Sequence, residues 1–147
     1  MQGAIINKGM VDKDSIIVHF CFITSRGDNT NIIQKTDSLE AMRINHTASN
    51  TLYAYVFWGL SNGQILSMSV EEVLDEVPLV LSPNCDNVFS FNKVVPITED
   101  RDFQIYLIYS DKKMSNPEID WESVDDFKED IHRKGFFILY TNIEIEQ

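Results

Sequence analysis

The chain has 147 residues, with 12 Lys and Arg against 23 Asp and Glu, a net charge of −11 at pH 7, and 44% hydrophobic and 11% aromatic content. That apolar share is enough for a packed core and too large for an acidic disordered chain. The anionic balance argues against direct contact with nucleic-acid phosphate or an anionic membrane surface, both of which need clustered Lys and Arg.

From the N-terminus, Met1 to Asp14 carries Lys8, Asp12, Lys13 and Asp14 and lacks the apolar core of a signal peptide. No apolar run approaches the ~20 residues that span a bilayer. A cytoplasmic protein is therefore expected, with its two cysteines, Cys21 and Cys85, as free thiols. Ile16 to Thr24, rich in Ile, Val and Phe, reads as a buried strand. The turn Ser25-Arg26-Gly27-Asp28-Asn29 follows, and Asn31 to Thr36 is expected to return as the hairpin partner. Asp37-Ser38-Leu39-Glu40 has the form of a capping box and predicts a short helix to about His46, with Leu39, Met42 and Ile44 facing inward.

Thr51 to Leu60 and Gln64 to Met68 flank Asn62-Gly63, a strong hairpin signal. A two-residue turn there pairs Leu60 with Ile65 and Trp58 with Ser67. Tyr53, Tyr55 and Phe57 then share one face, and Leu52, Ala54, Val56 and Trp58 the other, so this strand is expected to be central. Ser69-Val70-Glu71-Glu72 is a second capping box, with Val70, Val73, Leu74 and Val77 at helical spacing before Pro78. Leu79 to Leu81, Val88 to Val95 and Phe103 to Tyr109 read as strands. Asn116-Pro117 predicts the start of a last helix, in which Trp121, Val124, Phe127 and Ile131 recur three or four apart and Gly135 forms the left-handed end. Phe136 to Ile145 is a terminal strand. The expected fold is one α+β domain spanning residues 1–147, a mainly antiparallel sheet of about six to eight strands with three helices packed on one face.

The charge is uneven. Ile44 to Asn92 contains no Lys or Arg, yet holds Glu71, Glu72, Asp75, Glu76 and Asp86. In the last helix, Glu118, Glu122, Asp125 and Glu129 are spaced to form one carboxylate face, beside Asp126 and Asp130. Glu129 with Arg133 and Asp130 with Lys134 have the spacing of ordinary i, i+4 pairs. With Tyr53 and Tyr55 as aromatic anchors, Glu118, Glu122, Asp125, Asp126 and Glu129 are the expected partner-binding residues.

His19 and Cys21 share a strand face, but His46, His132 and Cys85 stand at no metal-binding spacing, and no calcium loop or phosphate loop occurs. No catalytic residue, metal or cofactor is expected. The reading that follows is a non-enzymatic acidic inhibitor, of the immunity or anti-defence kind, that neutralises a basic toxin, nuclease or defence protein without touching nucleic acid or membrane. The alternatives are a small hydrolase or nucleotide-handling enzyme using scattered carboxylates and a histidine, and a structural subunit of a larger assembly.

Overall fold

A computed structural model describes residues 3–7, 16–27, 29–60, 62–67, 77–96, 101–117 and 119–146, with the main chain alone for 3–7, 67 and 92–96. The described residues form eleven strands in two sheets and one helix. The expected α+β fold with three helices is therefore overturned by a mostly β architecture of three layers.

The first sheet takes β1 (Gly3–Asn7), β2 (Ile16–Thr24), β5 (Ser38–His46) and β9 (Val88–Pro96) in that order, all antiparallel. The two-residue β3 (Asn29–Thr30) shares the outer edge of β2 with β1. The second sheet runs β4 (Ile32–Gln34), β11 (Phe137–Glu146), β10 (Phe103–Ser110), β6 (Leu52–Gly59) and β7 (Ile65–Ser67). The short β8 (Leu79–Leu81) continues the β6 edge beyond β7. No helix among the described residues is long and apolar enough to cross a membrane.

Three local readings of the sequence are corrected, each for a physical reason. Residues 38–46 are a strand. A bulge at Glu40 spaces the buried Leu39 and Met42 three positions apart rather than two, and that extra residue imitates helical spacing. Asp37 does not cap a helix. Its carboxylate accepts from the Gln34 amide at 2.9 Å and from Arg26 at 2.8 and 2.9 Å, closing a turn, and the Arg26 hydrogen bonds hold its pKa below the ordinary value. Finally, Asn31 to Thr36 is not the hairpin partner of β2. Only Asn29 and Thr30 pair with it, after which the chain crosses at Asn31 and β4 joins β11 in parallel. Asn31 ties the two sheets together, donating its side-chain amide to the Phe20 carbonyl and accepting from the Glu144 amide.

The Asn62-Gly63 hairpin forms, one residue out of the expected register. Gly59 pairs with Ile65 and Trp58 with Leu66, while the Leu60 amide donates to Gln64 across residues 61–63. Gly63, at φ +89°, supplies the left-handed position that a three-residue loop needs at its end. The second expected helix, at Ser69 to Val77, falls almost wholly outside the described residues.

Between the sheets lies the main core, in which Phe20, Phe22, Met42 and Ile44 from one sheet meet Val56, Ile105, Leu107 and Leu139 from the other. The second sheet is apolar on its outer face as well, where Tyr55, Phe57, Tyr106 and Ile108 are buried beneath Phe127 and Ile131 of the helix α1 (Val124–Arg133). Phe127 is fully buried, its ring 5.6, 5.2 and 4.8 Å from those of Phe57, Tyr106 and Trp121. Burying such a side chain contributes about 1.5–3 kcal/mol.

Tyr106 lies directly on Gly59: a Cβ at that glycine would stand 2.6 Å from the tyrosine Cε2. The ring is buried and packed against Phe127, which opposes its displacement. Gly59→Ala is expected to destabilise the protein by about 1–3 kcal/mol, the usual cost of overpacking. A urea midpoint equal to that of the parent protein would contradict this packing.

Candidate acidic surface

The helix that carries the carboxylates is shorter than the sequence spacing implies. Ser123, in extended conformation, is the N-cap and its hydroxyl accepts from the Asp126 amide at 3.1 Å. Asp125 and Asp126 in the first turn complement the positive end of the helix dipole. The expected start at Asn116-Pro117 is thus corrected to Ser123-Val124; Trp121 lies before the helix and nonetheless packs against Phe57 and Phe127. At the other end the expected glycine stop is present. Gly135, at φ +93°, lets its amide reach His132 and the Phe136 amide reach Ile131, the two bonds of a Schellman motif.

The shortened helix breaks up the four-residue stripe. Asp125 and Glu129 remain one turn apart on one exposed face, Asp126 is exposed beside them, and Glu122 is exposed on the approach to the helix. Glu118 lies outside the described residues. Of the two anchors, Tyr53 is half-buried and Tyr55 is buried within the layer contact, donating its hydroxyl to the Met114 carbonyl at 2.6 Å. Burial raises the Tyr55 pKa.

The cations of this segment are engaged elsewhere. Lys134 Nζ sits 2.9 Å and Arg133 Nη1 3.5 Å from the Asp130 carboxylate, which also accepts from the Trp121 indole at 3.0 Å. Lys128 lies over the Tyr140 ring, 5.5 Å from its centre. The expected Asp130–Lys134 pair forms, but Arg133 turns to Asp130 rather than to Glu129. Among the described residues Glu122, Asp125, Asp126 and Glu129 make no ion pair.

The histidines do not converge. His46 is buried, with its Nδ1 accepting from the Ala48 amide and its Nε2 donating to the Leu81 carbonyl. His132 is exposed on α1. His19 is exposed on the outer face of the first sheet, in a shallow depression of about 200 Å³ with Cys21, Arg43 and Asn45. Cys21 is buried there and its thiol pKa is raised by that burial, so it is poorly disposed to form a thiolate nucleophile. Arg43 is held by Asn29 and Asp86, and Asn45 by Asp86, which makes this cluster a tie between strands and loops. No group of three His, Cys, Asp or Glu among the described residues is placed to hold a metal ion.

Compared with known protein families, curated proteins and solved structures, the chain matches none.

The pKa of Asp130 is lowered, first through the hydrogen bond from Lys134 and then through that from Trp121. A carboxylate with a depressed folded-state pKa stabilises the fold above the ordinary range near pH 4. That contribution is lost as the pH falls through the depressed value. Acidification is therefore expected to move the Trp121 indole N–H signal toward its free position in NMR spectra, and Asp130→Asn to abolish that titration. An identical titration in the variant would show that the carboxylate does not hold the indole.

Proposed function

We propose that the protein is a non-enzymatic acidic binding protein of the cytoplasm that neutralises a basic protein, such as a toxin, nuclease or defence factor, through the outer face of α1 and the segment leading into it. The observation that carries this reading is the separation of structural from uncommitted charge. Asp37, Asp86 and Asp130 are tied to Arg26, Arg43 and Lys134, whereas Glu122, Asp125, Asp126 and Glu129 are exposed with no counter-ion among the described residues. Their nearby cations are drawn to Asp130 and to Tyr140.

A surface of this kind attracts a cationic partner and accelerates encounter. The inner face of α1 is occupied by Phe127 and Ile131, so the carboxylates are presented by a helix fixed in place by its own packing. The dispersal of the histidines and the protonated state favoured at Cys21 support binding over catalysis.

The test begins with capture of the partner from cells that make the chain naturally and its identification by mass spectrometry. Asp125→Lys with Glu129→Lys is then expected to slow association with that partner tenfold or more at low salt. The difference should shrink at high ionic strength, where exposed charges are screened. An association rate unaffected by the double reversal would remove α1 from the interface.

A further inference from the structure

The Asn62-Gly63 turn that joins β6 to β7 also brings together the parts of an intramolecular reaction. Both residues are exposed, and a Cβ placed at Gly63 would meet nothing within 4 Å, so the fold leaves this dipeptide open to water. Glycine, having no side chain, shields its own main-chain nitrogen least. Once that nitrogen loses its proton it can attack Cγ of the preceding asparagine. An N–C bond then closes a five-membered succinimide, the Cγ–Nδ2 bond breaks and ammonia leaves. Water opens the ring at either carbonyl to give aspartate or isoaspartate, so one water is consumed for each ammonia released.

Three hydrogen bonds oppose the first step. The Gly63 amide donates to the Leu60 carbonyl at 3.0 Å, which engages the attacking nitrogen. Asn62 Oδ1 accepts from the Gln64 amide at 2.9 Å, and Asn62 Nδ2 donates to Gln64 Oε1 at 3.1 Å. Ring closure must turn the face of the Cγ carbonyl to the Gly63 nitrogen, a rotation that both bonds to residue 64 resist.

We propose that Asn62 is a site of spontaneous deamidation that the closed hairpin holds in check and local opening of the loop releases, with Gln64 as the positioning residue. Loop tips open at little free-energy cost, so the hydrogen bonds slow the reaction without blocking it. The product adds one negative charge to a span, Ile44 to Asn92, that contains no Lys or Arg. Isoaspartate also routes the main chain through the side-chain methylene, lengthening a loop whose ends are joined by the hydrogen bond from the Leu60 amide to Gln64. Strand β7 depends on that loop. Among the described residues it pairs with β6 alone, and its Ile65 packs against the aromatic layer beneath α1.

The test follows the full chain at mildly alkaline pH, folded and in concentrated urea, by peptide mass mapping that separates aspartate from isoaspartate at position 62. Conversion is expected to run at least about tenfold faster in the unfolded chain, where all three hydrogen bonds are lost. Gln64 is exposed, so Gln64→Ala leaves the core intact. It should raise the folded rate about threefold, the worth of one modest hydrogen bond, and leave the unfolded rate unchanged. Equal rates in the folded and unfolded parent chain would overturn the hairpin as a brake. A folded rate unmoved by Gln64→Ala would remove Gln64 from it, and an unfolded chain that keeps Asn62 intact would overturn the site itself.

Discussion

The architecture depends on a sheet that cannot be left half-covered. Strands β6 and β10 carry large apolar side chains on both faces: Val56, Ile105 and Leu107 point one way, and Phe57, Tyr106 and Ile108 the other. Leaving either set in water would forfeit roughly 25 cal/mol for each Å² of apolar surface exposed. The first sheet covers one side, and α1 with Trp121 covers the other. The position of the helix follows from this requirement, since Phe127 and Ile131 must reach the aromatic ridge and the polar residues between them are thereby turned outward.

The same requirement sorts the charge. Lys134, Arg133 and Trp121 all converge on Asp130 at the flank of the helix, where a carboxylate joins the last turn to the chain that precedes the first. Lys128 rests on Tyr140. The carboxylates farther from the sheet keep no such partner among the described residues, so the net charge of −11 includes a fixed group of anions presented by a rigid element.

Much of this was legible from residues alone, and the failures share a cause. Strands β2 and β8 have the expected bounds, and β9, β10 and β11 agree within a residue or so, because their apolar content and flanking turn residues are local signals. The apolar faces of Leu52 to Trp58 correctly implied a central strand. Residues 38–46 were misread because a single bulge converts a spacing of two into three, and the capping-box letters at Asp37 serve a turn whose partner, Arg26, is distant in sequence. The short β1 was missed because Ala4-Ile5-Ile6 is too brief to stand out among polar neighbours. The start of α1 was placed too early because Trp121 packs in line with the helical apolar face without itself being helical. The open polar patch of Asp102, Gln104, Asn142 and Glu144 was invisible for a deeper reason: the β10–β11 register brings these residues together, and no local pattern encodes it.

The crossing at Asn31 has a consequence for how the chain acquires its shape. Among the described residues strand β4 finds its only strand partner in residues 144–146, so an early segment waits for β11 before it can be placed. β10 likewise needs β11 along one whole edge. During synthesis the second sheet therefore remains incomplete until residues 137–146 have emerged, leaving the edge of β10 and the apolar ridge of β6 exposed in the interval. Folding dominated by such distant pairings is slow and vulnerable to association. In that interval the dense negative charge acts in a different role, as mutual repulsion between nascent chains.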